Sequence, residues 1–311
     1  MIYLAFDIGG TNVKYAAVTK DGDILSKGKF KSPKESFDQL ITSMGEVHRK
    51  LSKEHTFTGI ALSTPGAPDN NTGIVTGGSA LPYIHGPNFR EALLNETGLN
   101  MYAENDAKSA ALCEVWKGAA KDVNDSLFIV LGTGIGGAIV KNKKVHHGVN
   151  LLAGEFGYII LGADFKNGDF KTFSDLGATG SILRYVAKKR SVTPDDLTGE
   201  EIFKDAENGD KDCIEAIEQF YESLAMGIFS LMYIYDPEKI VIGGAISARK
   251  ELIDKISEKL QFVKSSISSD VSLVNPPLVR CEYEGDANLL GAVYNYKLYE
   301  EVMVNDQKIS K

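Results

Sequence analysis

Residues 2–18 read IYLAFDIGGTNVKYAAV. Apolar and aromatic side chains fill residues 2–8, which predicts a buried strand. Gly9, Gly10 and Thr11 form a turn, and residues 13–18 a second strand. Asp21-Gly22 then makes a hairpin turn into a third strand over residues 24–30. Glycines let a backbone approach an anion closely and aim its N–H groups at it, and a threonine hydroxyl adds a donor. Asp7, where the first strand meets the turn, suits a magnesium ion held through water, since that ion keeps much of its hydration. Lys14 either offers positive charge to the anion or is a solvated strand lysine.

The same unit restarts at residue 126. Residues 126–131 (SLFIVL) predict a strand, residues 132–137 (GTGIGG) a glycine turn and residues 138–140 a strand, with Lys141–Lys144 turning into a short strand at Val145. The glycines match G-x-G-x-x-G, but the dinucleotide reading needs a helix directly after them, and a strand follows here. No G-x-x-x-x-G-K-[ST] exists, so the Walker loop fails too. A lone glycine turn is more often an ordinary hairpin. Two turns with threonine, plus Gly243-Gly244 after the strand at 239–242, point to a polyphosphate held from both sides of a cleft. Helices are predicted over 36–51 with Ser36 as N-cap, from Asn105-Asp106 through Trp116, and over 178–190, 211–235, 249–260 and 287–300. Further strands fall at 57–63, ended by Pro65-Gly66, at 100–104 and at 278–283, and the polar tail 301–311 is expected to fray. The pattern is a duplicated α/β unit, with a boundary near Lys117–Asn124.

A chain of 311 residues suggests two domains or one large one, and 43% hydrophobic with 24% charged residues excludes bulk disorder. The formal charge of −8 argues against a nucleic-acid-binding face. Cys113, Cys213 and Cys281 stand singly, so neither a disulfide framework nor a CxxC metal pair forms, and a reducing cytoplasm is the expected setting. The N-terminus lacks a basic leader, and the apolar run Leu224–Tyr235 falls short of the roughly 18 residues of a membrane helix. His146 and His147, adjacent on a strand, would point to opposite faces and are poor joint metal ligands, so they are read as loop residues. Trp116 is read as core or interface.

Residues 7–14 (DIGGTNVK) resemble the first phosphate motif of the ROK sugar kinases, within the actin/hexokinase-like ATPase superfamily. Residues 63–75 (STPGAPDNNTGIV) look like that family's sugar loop, 104–107 (ENDA) its catalytic motif and 132–137 its second phosphate loop. Residues 154–157 (GEFG) look like its sugar signature, 243–244 its adenosine segment and 286–292 (DANLLGA) its closing helix. The resemblance implies an α/β fold of two RNase H-like, actin-like ATPase domains with a cleft: residues 1–117 completed by a C-terminal helix 295–311, and residues 118–294. It implies an ATP- and Mg²⁺-dependent kinase acting on the 6-hydroxyl of a glucose-type sugar or β-glucoside, working as a homodimer.

Under that resemblance Asp106 is the base that accepts the sugar proton; alone, it would read as a helix N-cap. Gly66, Asn105, Asp106, Glu155, Tyr158 and Asp175 would face the sugar. By themselves, Gly66 and Asn105 are equally turn residues, and Glu155 a surface charge. Asp7, Gly9, Gly10, Thr11, Lys14, Gly132, Thr133, Gly134, Gly243 and Gly244 would serve ATP and magnesium. Typical members carry His where Tyr158 stands, then a zinc-holding cysteine cluster; residues 159–176 hold no cysteine, so no zinc is expected. Asp175 stands where the family has a longer glutamate. These departures look like the β-glucoside kinase branch. The alternatives are a glucokinase, an N-acetylmannosamine kinase or a non-catalytic sugar sensor. A ROK-like repressor would need a helix-turn-helix ahead of the Asp7 motif, where no room is left, and the Glu104–Asp106 and Glu155 segments favour a sugar site over an actin-like filament or chaperone ATPase.

Overall fold

A computed structural model describes residues 1–267, 274–283 and 285–309. The chain forms two compact units: residues 1–121 with 147–152 and the chain from Gly285 onward, and residues 122–146 with 153–284.

The first unit opens with β1 (Ile2–Ile8), β2 (Asn12–Thr19) and β3 (Ile24–Lys31), followed by α1 (Phe37–Leu51) and β4 (Gly59–Thr64). Then come β5 (Ala67–Asp69), β6 (Ile74–Thr76), α2 (Phe89–Thr97), β7 (Met101–Asn105) and α3 (Asp106–Trp116). Its sheet has the order β3-β2-β1-β4-β7, with β2 antiparallel to β1 and β3, and β4 and β7 parallel to β1. β1 is buried along almost its whole length, as an unbroken apolar run requires at the centre of a sheet covered on both faces. Ser36 caps α1, its hydroxyl accepting from the Gln39 N–H, and Leu40, Ile41, Met44, Val47 and Leu51 face the core.

The second unit repeats the scheme with β8 (Ser126–Leu131), β9 (Ile135–Lys141) and β10 (Lys144–Val145). It continues through β11 (Ile160–Asp164), β12 (Asp169–Thr172), α4 (Phe173–Gly177), α5 (Thr179–Arg190), α6 (Gly199–Glu207) and α7 (Lys211–Tyr235). It closes with β13 (Lys239–Gly243), α8 (Leu252–Ile267) and β14 (Leu278–Arg280). The sheet order β10-β9-β8-β13-β14 pairs β9 antiparallel with β10 and β8, and sets β13 and β14 parallel to β8. Each sheet is the RNase H-like arrangement, three antiparallel strands extended by two parallel ones. α9 (Ala287–Ile309) returns to the first unit, where Tyr294 stacks on Trp116 with ring centroids 5.2 Å apart. Trp116 is therefore a packing residue between two helices of one unit.

Several expectations change. β9 begins at Ile135, so Gly136 and Gly137 lie in a strand and the turn shrinks to residues 132–134. The second unit does not run to 294: the first unit takes the chain from Gly285, not from 295, and also residues 147–152. α8 starts later than 249 and runs to Ile267, and α9 continues to Ile309 through the tail expected to fray. α2, α6 and the β11–β12 hairpin were not foreseen. α2 buries only Phe89 and Leu93 and α6 only Ile202, too few apolar positions to mark a helical period. Among the described residues no helix is long and apolar enough to cross a membrane.

Candidate active site

Asp7 is 8% exposed near the end of β1. Its Oδ1 accepts from the Ser63 hydroxyl at 2.9 Å and from Asn288 Nδ2 at 3.0 Å, while Oδ2 lies 3.8 Å from Lys14 Nζ. Ser63 comes from β4 and Asn288 from α9, so three elements hold one carboxylate in place. Lys14 also donates to the Gly285 carbonyl at 3.0 Å, so its ammonium is fixed beside Asp7 instead of ranging in solvent. Sequence reasoning missed Ser63 and Asn288, although both lie inside quoted motifs. The Gly9–Thr11 turn is pinned from behind: Gly9 N–H donates to Asn12 O, and Ser32 N–H donates to Thr11 O. Among the described residues nothing accepts from the N–H groups of Gly10 and Thr11.

At the junction of β7 and α3 the capping role falls on Asn105, and Asp106 is the first helical residue. Asn105 Oδ1 accepts from the N–H groups of Ala107 (3.0 Å) and Lys108 (3.2 Å). Its Nδ2 donates to the Gly66 carbonyl at 2.9 Å, and Gly66 has φ +92°. The amide expected to meet a sugar is thus used on both ends to join the sugar-loop segment to the helix start. Gly66 and Asn105 are brought together at the junction. Asp106 is half-buried, with Oδ1 accepting from the Ala107 N–H at 2.8 Å. Ahead of it, Glu104 is 2% exposed and pairs with His147.

In the second unit the turn Gly132–Gly134 closes by a hydrogen bond from Gly132 N–H to Gly134 O. Thr179, opening α5, donates its N–H to Gly132 O at 3.0 Å, and the Ser174 hydroxyl accepts from Ile135 N–H at 2.9 Å. Thr133 and Gly134 are exposed, and among the described residues nothing accepts from their N–H groups. Glu155 is half-buried at the head of a single helical turn, residues 156–158. That turn sits directly on β9. Gly154 has φ +93°, and a Cβ there would lie 2.9 Å from Gly137 O; a Cβ at Gly157 would run into Ser174 Oγ. Tyr158 is 79% exposed.

Asp175 sits in a capping box. It is the third residue of α4, and its Oδ2 accepts from the N–H (2.9 Å) and hydroxyl (2.8 Å) of Thr172, while Thr172 Oγ1 accepts from Asp175 N–H. This capping box holds its carboxyl below the usual range, chiefly through the Thr172 N–H and hydroxyl. The Oδ2 atom of the carboxylate is engaged by its own helix start.

Gly243 ends β13, and Gly244 (φ +97°) lies so close to β8 that a Cβ would strike the Leu131 carbonyl. This tight crossing delivers the next residues into a cavity of about 500 Å³ lined by Thr179, Ile182, Phe203, Ala245, Ile246 and Arg249. Its volume lies in the range of small-molecule pockets. The Arg249 guanidinium sits over the Phe203 ring at 3.8 Å from the centroid. Thr179 belongs both to this cavity and to the bond that fixes the Gly132–Gly134 turn. Phe203 and Arg249 lacked any sequence signal. Among the described residues no group of three or more His, Cys, Asp and Glu side chains could hold a metal ion.

The ROK family pattern matches residues 3–297. This chain belongs to the ROK family. It is 34% identical over 300 residues to the beta-glucoside kinase of Listeria monocytogenes serovar 1/2a, covering 96% of this chain and 97% of that one. It is 30% identical over 293 residues to the beta-glucoside kinase of Klebsiella pneumoniae, covering 94% and 95%. A ROK family protein from Streptococcus pneumoniae TIGR4, solved in complex with sucrose, superposes with a TM-score of 0.87 at 36% identity, covering 97% of this chain and 99% of that one.

Proposed function

We propose that this ROK protein transfers the γ-phosphoryl group of ATP to the 6-hydroxyl of a β-glucoside. The chain is an ATP-dependent carbohydrate kinase. The observation that carries the nucleotide half is the Thr179 junction. A glycine turn with unclaimed N–H groups abuts, through one residue, a cavity of nucleoside size. Adenosine would lie against Ala245 and Ile246, with phosphate oxygens taking the N–H groups of Thr133 and Gly134 within the second unit; in the first unit the N–H groups of Gly10 and Thr11 form another anion-binding turn. Lys14, fixed beside Asp7, adds positive charge to the latter turn.

Asp7 fits hydrated magnesium: Oδ1 is committed to Ser63 and Asn288, and Oδ2 keeps lone pairs for bound water. Bound Mg²⁺ would neutralise charge on the phosphates. Asp106 accepts the proton of the sugar hydroxyl. It stands at the first helical position of α3, beside the cap that Asn105 provides. Phosphoryl transfer is positioning and charge stabilisation more than covalent chemistry, so a base held by a capped helix start is what the reaction asks of this unit. Glu155 orients the sugar from a turn locked onto β9. Tyr158 offers an aromatic face and a hydroxyl to a substituent on the anomeric oxygen, and this favours a glucoside over free glucose. The chain works without structural zinc: residues 159–176 hold no cysteine, and the β11–β12 hairpin is closed by its own pairing and by an edge-on Phe165–Phe170 contact. It acts as a cytoplasmic homodimer with no nucleic-acid partner.

The test is ADP release with cellobiose, glucose, N-acetylmannosamine and no sugar. Cellobiose is expected to give the highest kcat/KM. Release that no sugar accelerates would end the proposal, and faster turnover of glucose than of cellobiose would make this a glucokinase.

A further inference from the structure

Transfer chemistry leaves the pair of buried Glu104 and half-buried His147 without a role. Glu104 Oε2 lies 2.8 Å from His147 Nε2, and Oε1 accepts from the backbone N–H of Asn105 at 2.9 Å. A carboxylate only 2% exposed needs partners for both oxygens, or its burial is strongly unfavourable. The pair therefore does more than satisfy itself. It grips the peptide N–H of the residue that caps α3, one position before Asp106. His147, Glu104, Asn105 and the first turn of α3 form one continuous set of hydrogen bonds.

A second tie meets the same junction from the other end of the segment. Lys108 is 2% exposed, one turn into α3, and its Nζ donates to the Leu151 carbonyl at 2.7 Å. Leu151 has φ +62°, a left-handed conformation unfavourable for a residue with a Cβ. Surrounding contacts must hold it there, and the Lys108 bond is one of them. Residues 147–152 belong with the first unit for this reason, although their chain neighbours on both sides belong to the second.

We propose that His147, acting through Glu104, and Lys108, acting through the Leu151 carbonyl, are positioning residues that hold the β7–α3 junction in the geometry from which Asp106 works. This rests on Asp106 being the base. A displacement of about 1 Å in a reacting group costs on the order of a hundredfold in rate, so such ties bear on turnover without touching substrate.

The test compares the parent with His147→Ala, His147→Gln and Lys108→Met by backbone hydrogen exchange over residues 103–110 and by steady-state kinetics with ATP and cellobiose. In His147→Ala, exchange at residues 105–108 should rise by about tenfold or more, with β1 and residues 132–137 unchanged. kcat should fall roughly 10- to 100-fold while KM for ATP stays within about twofold. His147→Gln, whose amide N–H can reach Glu104, should recover most of both. Should His147→Ala prove too unstable to isolate, Lys108→Met carries the same two readouts. Parental exchange in His147→Ala and Lys108→Met overturns the proposal, as does a rise in KM for ATP with kcat unchanged. A parent that turns over no sugar sinks the kinase reading alone, and hydrogen exchange then still decides whether the ties hold the junction.

Discussion

Asn105 and Asp106 are neighbours with similar side chains, and the fold gives them different places at the start of α3. Both suit a helix N-cap by composition. The backbone decides between them: Asn105 is extended at φ −60° and ψ 147°, so its carbonyl side faces into the helix start, while Asp106 already has helical geometry. Asn105 accepts from the N–H groups of Ala107 and Lys108, and Asp106 Oδ1 shares the Ala107 N–H. Asp106→Asn should therefore fold like the parent and keep its affinity for cellobiose in calorimetric titration. Its kcat should drop by about 10²–10⁴, the usual worth of a general base. Turnover within threefold of the parent would remove Asp106 from the mechanism. The motif at residues 104–107 made this pair visible in the sequence. The tie to His147, 43 positions away, was not visible, because a strand-adjacent pair of histidines carries no mark of its long-range partner.

Among the elements, those with one strong apolar face or a run of buried apolar residues were legible: β1, α1, α3, β8 and α7. Those that lean on others were not. The turn of residues 156–158 and α4 are shaped by contact with β9, and no local propensity announces that contact. α4 owes its start to the Thr172–Asp175 capping box, which gives a prediction at this scale. The Asp175 carboxyl sits below its ordinary value, so its contribution to stability is present above an unfolded pKa of about 3.9 and is lost as pH falls through the folded value. Asp175→Asn should melt below the parent at pH 7, and the gap should close as pH drops under about 4. Its KM for cellobiose should match the parent's. A tenfold rise would return Asp175 to the sugar site.

At the scale of the molecule, one sheet topology occurs twice, three antiparallel strands and two parallel ones, and each copy carries a glycine turn after its first strand. On α7, Met226, Tyr233 and Ile234 are exposed at spacings that place them along one stripe, an apolar face consistent with a homodimer. Light scattering at micromolar concentration should return twice the chain mass, and Ile234→Lys should halve it. A monomeric parent would dismiss the dimer. The sequence alone determined the duplicated α/β plan, the two glycine turns and the Asn-Asp pair. These depend on strand periodicity and on residue types that few backbone conformations accept. Tertiary structure alone decided which of Asn105 and Asp106 is the N-cap, that Asp175 closes a capping box, that Ser63 and Asn288 hold Asp7, and that residues 147–152 join the first unit. Each of those is a hydrogen bond between positions far apart in the chain or a choice between chemically similar neighbours, and only the folded backbone fixes such distances.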